Sequence, residues 1–222
     1  MRFLSFSFED LLISRRDIYD EMGYNGREPD QRIIGLVDSV LEVAAQESEP
    51  SCLFNMESAS RSSDGEILVS DINFRVGKII SSYLEGMNHA CFFIATAGCR
   101  YDRYIKRLHE TGDIVGEFVA DAVGSAIVEA VVERMRDMVV LQSDEKCSLP
   151  YSPGYCGWNI ADQKKLFSLF PPDPCGVSLS ESCLMTPIKS ISGFLALGKD
   201  LKPQPYHCEI CQNKKCYKRK TK

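Results

Sequence analysis

The chain has 222 residues, of which 44% are hydrophobic and 26% charged. This composition excludes disordered, collagen-like and coiled-coil proteins and predicts one globular domain. The longest apolar runs are far shorter than the ~20 residues of a membrane-spanning helix. Glu9 and Asp10 interrupt the N-terminus before the apolar core of a signal peptide could form. We therefore expect a cytoplasmic protein that does not enter membranes.

The charge is unevenly distributed along the chain. Six of the last nine residues are Lys or Arg, and because the net charge of −5 includes these six, the rest of the chain carries −11. An acidic body argues against nucleic-acid binding, which needs a basic face. The basic C-terminus is either a solvated terminus or a docking arm.

The first third of the chain predicts helices followed by strands. Residues 14–17 (Ser-Arg-Arg-Asp) have the form of a capping box and start a short helix. Asp30 caps a second helix, whose apolar residues recur at helical spacing until Pro50. From 52 to 76 the period changes to that of strands, with a hairpin turn at 63–65.

The middle of the chain predicts a buried strand and two helices. The apolar run 90–96 indicates the strand, and 101–109 a helix. A long amphipathic helix then covers 114–140. Four polar residues spaced by four fall in one row along this helix: Asp121, Ser125, Glu129 and Glu133. The row is either a solvated edge or one wall of a groove.

The segment 150–158 is too rich in Pro and Gly for regular structure and contains the single Trp. Aromatic, glycine-rich loops often form binding surfaces on a rigid scaffold. A helix capped by Asn159 or Asp162 follows, and then two strands at 177–185 and 188–197. The sequence has no dinucleotide, phosphate-loop, zinc-protease or hydrolase motif. The residues alone therefore predict an α+β domain with an aromatic loop.

Three segments resemble the activation domain of cobalamin-dependent methionine synthase. Residues 151–155 (Tyr-Ser-Pro-Gly-Tyr) are similar to the Pro-Gly-Tyr loop of that family, 179–182 (Leu-Ser-Glu-Ser) to its next strand, and 187–193 to its small-residue segment. Residues 23–26 and 95–98 resemble free-standing members of the family. The resemblance implies an α+β fold, as a C-shaped single domain with a bent, mostly antiparallel sheet flanked by helices.

On this resemblance, residues 1–200 form the activation-like domain, with a helical part at about 1–50, and 201–222 form a Cys-rich basic tail. The implied function is a free-standing reactivation module that binds S-adenosylmethionine and presents its methyl group to reduced cobalamin. The implied partners are a cobalamin-binding methionine synthase or corrinoid protein and an electron donor such as flavodoxin or ferredoxin. The cofactors supply the chemistry, and the protein supplies orientation and charge.

The resemblance also implies which residues bind these cofactors. They are Tyr151, Ser152, Pro153, Gly154 and Tyr155 in the loop and Asp121, Glu129, Glu181 and Lys189 outside it. Gly154 lets the backbone approach a ligand closely, and Tyr155 offers a flat ring to the nucleoside and the corrin edge. Main-chain groups at 151–152 would bond the adenine or ribose. Asp121 and Glu129, if they face the groove, would meet the ammonium and sulfonium charges or hold the loop. No residue is assigned a catalytic role.

One position departs from the family. The loop arginine, whose guanidinium suits a ligand carboxylate, is replaced by Pro150. Either Lys146 or Lys189 supplies the charge instead, or S-adenosylmethionine binds weakly, or this member lacks that activity.

The C-terminal tail contains a second group of candidate ligands, Cys208, Cys211 and Cys216. Three neighbouring thiolates can bind zinc or an iron–sulfur cluster, with His207 or a remote Cys as fourth ligand. Reduced surface thiols and a partly disulfide-linked tail are the alternatives. Two further functions therefore stay open: an accessory subunit that binds a corrinoid protein without adenosylmethionine, and a thiol or metal redox protein.

Overall fold

The computed structural model describes residues 1–63 and 65–202. Its helices are α1 (Arg15–Glu21), α2 (Gln31–Glu47), α3 (Gly77–Ser82), α4 (Cys99–Glu110), α5 (Ile114–Gln142) and α6 (Gln163–Phe167). Its strands are β1 (Arg2–Ser5), β2 (Ser51–Ser63), β3 (Glu66–Val69), β4 (Ile72–Phe74), β5 (His89–Thr96), β6 (Lys146–Cys147), β7 (Ser178–Leu179), β8 (Met185–Thr186) and β9 (Ser190–Gly198). Within these ranges no helix is both long and apolar enough to cross a membrane.

The starts of α1 and α2 lie at the predicted capping residues. At α1 the Ser14 hydroxyl accepts from the Asp17 amide, and the Asp17 carboxylate accepts from the Ser14 amide. At α2 the Asp30 carboxylate accepts from the amides of Arg32 and Ile33. These caps satisfy amides that the first turn of a helix leaves unpaired.

Seven strands of the described chain form one curled sheet in the order β4-β3-β2-β5-β9-β6, with β1 paired to β2. Neighbouring strands in this sheet run antiparallel. The central strand β5 places Phe92 opposite Phe194 of β9 and Phe93 opposite Phe54 of β2. The predicted bent antiparallel sheet flanked by helices is therefore confirmed.

Both faces of the sheet are buried. On β5, Cys91 and Phe93 pack in the core that contains the apolar residues of α1, α2, α4 and α5. The alternate residues Phe92 and Ile94 pack on the opposite face, in the core that contains Trp158. The alternation follows from the two-residue repeat of a strand. Because both sets are buried, this strand has a continuous apolar sequence.

Several elements differ from the prediction, among them β1 and the segment 177–185. The sequence does not predict β1, which is a short, largely exposed strand formed by pairing with β2. The single strand predicted over 177–185 is wrong, because β7 and β8 form a small hairpin there. At its tip the Ser180 hydroxyl accepts from the Leu184 amide at 2.9 Å, and Cys183 has a φ of 64°. A residue with that backbone conformation reverses the chain rather than extending it.

The buried thiols give a testable consequence of this packing. Burial raises the pKa of Cys91 to about 12 and also raises that of Cys52, whereas Cys99 is exposed at the start of α4. Since the thiolate is the nucleophile, we expect iodoacetamide at pH 8 to alkylate Cys99 at least about 100-fold faster than either buried thiol. Peptide mass spectrometry measures the rates. They should converge in urea, and equal rates in the folded protein would contradict the buried placement.

Candidate functional site

The aromatic loop is attached to the central sheet at its first residue. Tyr151 forms a two-hydrogen-bond bridge with Phe194 of β9, its amide donating at 3.0 Å and its carbonyl accepting at 2.9 Å. Burial raises the pKa of the Tyr151 phenol to about 12, so its hydroxyl stays protonated at neutral pH. Both main-chain groups of this residue are thus already paired within the protein.

The bridge depends on Gly193, the residue of β9 beside Tyr151. A Cβ at Gly193 would lie far inside van der Waals contact with the Tyr151 carbonyl oxygen and 3.0 Å from the Ser152 hydroxyl oxygen. Only a residue without a side chain lets the loop backbone come this close to the strand. Gly193 therefore positions the loop against β9.

The turn that follows is closed by its own backbone. The Tyr155 amide donates to the Ser152 carbonyl, and the Gly154 amide donates to the Trp158 carbonyl at 2.9 Å. Gly154 has a φ of 97°, which strains any residue with a side chain. Pro153 is buried, whereas Tyr155 exposes 59% of its surface. The turn therefore presents the Tyr155 ring to the outside.

Trp158 anchors the far end of the loop. Its ring packs edge-on against Phe74 and Phe194, at centroid distances of 6.2 and 5.5 Å. Its indole N–H donates to the Asp162 carboxylate at 3.1 Å, and the same carboxylate oxygen accepts from the Arg75 amide at 3.1 Å. The loop is thus fixed at both ends to the core on one face of the sheet.

A cavity of about 410 Å³ lies between the loop and α5. This volume is within the range of small-molecule sites. The lining residues of the described chain include charged and aromatic groups, which are Glu129, Glu133, Arg136, Tyr151 and Tyr155. The rest of the lining consists of Pro150, Ser152, Cys156 and the apolar residues Val132, Leu149 and Ile191. The arrangement is a groove with an apolar floor, two carboxylates and one guanidinium.

Four of the predicted site residues come together at this cavity, namely Glu129, Tyr151, Ser152 and Tyr155. Pro153 and Gly154 shape the turn beside it. Glu181 lies apart, exposed at the tip of the β7–β8 hairpin. Asp121 and Lys189 form an ion pair with each other and are not among the lining residues.

The charge of Lys189 is paired within the protein. Its side chain is buried, with the ammonium nitrogen 2.6 Å from an Asp121 carboxylate oxygen and donating to the Ser125 hydroxyl at 3.1 Å. Lys146 is exposed on β6. Neither lysine proposed to replace the family's loop arginine is among the lining residues of the cavity.

Sequence reasoning missed Arg136, which lines the cavity from α5. Its Nε donates to the Ser148 carbonyl at 3.2 Å, just before the aromatic loop. The available signal was spacing, because Glu129, Glu133 and Arg136 stand at i, i+4 and i+7 and so share one helix face.

The candidate metal ligands Cys208, Cys211 and Cys216 lie outside the described residues. Among the residues that are described, no group of three or more His, Cys, Asp or Glu side chains could hold a metal ion.

The fold places the chain in the class of α+β domains built on a curled antiparallel sheet, and comparison with known proteins gives the family. The family model for the activation domain of vitamin B12 dependent methionine synthase matches residues 78–220, more than half of the chain. The chain belongs to this family, which confirms the resemblance drawn from the sequence. The matched residues include α5, the aromatic loop and β9.

A solved structure supports the same fold. The crystal structure of the MetH reactivation domain bound to AdoHcy is similar to this chain, with a TM-score of 0.67 and 15% sequence identity. The match covers 92% of this chain and 80% of that one. At this identity the likeness shows the fold alone. Comparison with curated proteins gives no match.

Proposed function

We propose that this chain is a free-standing reactivation module for cobalamin-dependent methionine synthase. In this proposal it binds S-adenosylmethionine in the cavity between α5 and the aromatic loop. It then presents the sulfonium methyl group to a cobalamin carried by a partner protein, a methionine synthase or another corrinoid protein. A redox protein such as flavodoxin or ferredoxin delivers the electron.

The observation that carries the proposal is the cavity beside the Pro-Gly turn. It joins the aromatic side chains of Tyr151 and Tyr155 with the carboxylates of Glu129 and Glu133. The rings suit a nucleoside, and the carboxylates suit the positive sulfonium and ammonium groups. Family membership and the AdoHcy bound to the similar reactivation domain support the same ligand class.

This chain's own residues bind and orient the methyl donor. The bridge at Tyr151 and the turn at Gly154 hold the loop rigid, so that the cavity exists before a ligand arrives. Tyr155 stands exposed at the rim, where a corrin on a partner would meet it. Such orientation of two reactants replaces a bimolecular encounter with a near-attack geometry.

When bound on the partner, reduced cobalamin would supply the nucleophile for the sulfonium methyl group, and S-adenosylhomocysteine would be the other product; Glu129, Glu133, Tyr151 and Tyr155 would hold the donor. The methyl transfer moves no proton, so it needs no general acid or base from the lining residues. The contribution of the chain is therefore binding, orientation and charge.

Calorimetry with S-adenosylmethionine and a reactivation assay together test the proposal. We expect measurable binding at millimolar ligand or below, and recovery of activity when the protein is added to a synthase whose cobalamin has been oxidised. Tyr155→Ala should lower the reactivation rate about 10-fold or more, because the exposed ring is lost from the rim.

Phe118→Ala is the matched control for the Tyr155 variant. Phe118 is also an exposed aromatic residue, at the other end of α5 and outside the cavity lining. It should leave reactivation unchanged. Absence of binding at millimolar S-adenosylmethionine would rule out the proposed ligand, and normal reactivation by Tyr155→Ala would show that the rim is misplaced.

Pro150 is the observation that favours a second candidate function. It lines the cavity at the position of the family's loop arginine and cannot donate a side-chain hydrogen bond. An accessory subunit that binds a corrinoid protein without adenosylmethionine would not need that arginine. Binding to the corrinoid protein without heat from S-adenosylmethionine would favour this candidate.

A further inference from the structure

We infer that Arg136 holds the carboxylate of the ligand's amino-acid part, so that α5 rather than the aromatic loop selects an amino-acid nucleoside. The inference rests on the proposed function, because it concerns the same cavity. It names a residue that determines which adenosyl compounds the cavity accepts.

The distribution of charge around the cavity supports this assignment. Of the lining residues within the described chain, Arg136 is the only one with a positive charge, and Glu129 and Glu133 are negative. A neighbouring cavity shares both glutamates and adds Asp17, Asp20 and Glu21 to its lining. A ligand carboxylate is repelled by this acidic surface everywhere except beside Arg136.

The guanidinium is also held in place by the protein. Its Nε donates to the Ser148 carbonyl at 3.2 Å. A guanidinium has five N–H donors, so this contact leaves others for a carboxylate. A half-buried, oriented guanidinium suits the paired oxygens of a carboxylate better than a mobile lysine does.

The spacing on α5 matches an amino acid with both of its charges. Glu133 and Arg136 are three residues apart and so are neighbours on the helix surface. An α-amino acid carries its ammonium and carboxylate on one carbon. The two charges can therefore meet Glu133 and Arg136 together, with the sulfonium towards Glu129, one turn further along the helix.

The test compares S-adenosylmethionine with its decarboxylated form, which lacks only the carboxylate and has one more net positive charge. In an acidic cavity without an arginine contact, the decarboxylated compound would bind more tightly. We expect calorimetry of the unmodified protein to show the opposite, with S-adenosylmethionine bound about 10- to 100-fold more tightly.

Arg136→Gln should weaken the binding of S-adenosylmethionine by about the same factor. The affinity for the decarboxylated compound should stay unchanged or increase. Arg136→Lys should restore part of the preference, because it keeps the charge without the planar guanidinium. Lys146→Gln is the matched control, since it removes an exposed charge outside the cavity lining, and it should change neither affinity.

The possible outcomes separate this inference from the proposed function. If the unmodified protein binds both compounds equally, or the decarboxylated one more tightly, Arg136 does not hold the carboxylate, although the proposed ligand class stands. If Arg136→Gln lowered the affinity for both ligands equally, the residue would have a structural role and the inference would be overturned. If neither compound binds, the proposed function and the inference fail together.

Discussion

Gly193→Ala is expected to destabilise the protein by about 2–4 kcal/mol and to lower reactivation about 100-fold. The added methyl group would collide with the Tyr151 carbonyl oxygen and would also lie 3.1 Å from the Phe93 ring. The two bridging hydrogen bonds between Tyr151 and Phe194 would break or lengthen. The loop would then move away from β9, and the cavity wall that it forms would move with it.

Urea denaturation measures the loss of stability, and the fluorescence of the single tryptophan reports the loop itself. Gly35→Ala is the control, because a Cβ at Gly35 on α2 would meet nothing within 4 Å. That substitution should be neutral or stabilise the helix by up to about 1 kcal/mol. A Gly193→Ala protein with unchanged stability and unchanged reactivation would show that the loop does not rest on β9 as described.

Asp162→Ala should destabilise the protein by about 2–4 kcal/mol. One carboxylate oxygen accepts from the Trp158 indole and the Arg75 amide, and the other lies 2.9 Å from the Lys165 ammonium nitrogen. The carboxylate is buried, so its removal leaves the Trp158 indole without its partner in the core. Trp158 should then show a shifted emission and the loop faster hydrogen exchange.

Two further variants separate these contacts. Asp162→Asn keeps an acceptor for the indole and the amide but weakens the ion pair with Lys165, so we expect a loss of only about 1 kcal/mol. Asp137→Ala removes an exposed carboxylate from α5 and should change stability by no more than about 0.5 kcal/mol. If all three variants were equally stable, Asp162 would not anchor the loop.

The acidic row on α5 shows where sequence reasoning reached its limit. Residues spaced by four turn by about 40° per step, so Asp121 and Glu133 differ by about 120° around the helix axis. Asp121 therefore pairs with Lys189, whereas Glu129 and Glu133 line the cavity. The spacing alone places the residues in a row, but which part of the row meets a groove depends on what packs against each turn.

The hairpin of β7 and β8 shows a different limit. The apolar residues of 177–185 have the composition of a strand, yet the polar tip around Ser180 folds back on itself. The chain reverses there because the Ser180 hydroxyl accepts a hydrogen bond and Cys183 has a positive φ. Propensity averaged over nine residues does not detect such a local hydrogen bond.

The helix starts at Ser14 and Asp30, the buried central strand and the Pro-Gly turn can be predicted from the amino-acid sequence, because capping, periodicity and turn chemistry act between residues close in the chain. The placement of Arg136 in the cavity lining and of Lys189 outside it becomes visible only in the folded chain. The packing of α5 against β9 and the loop brings together residues that are distant in sequence. This packing decides which groups each charged side chain contacts.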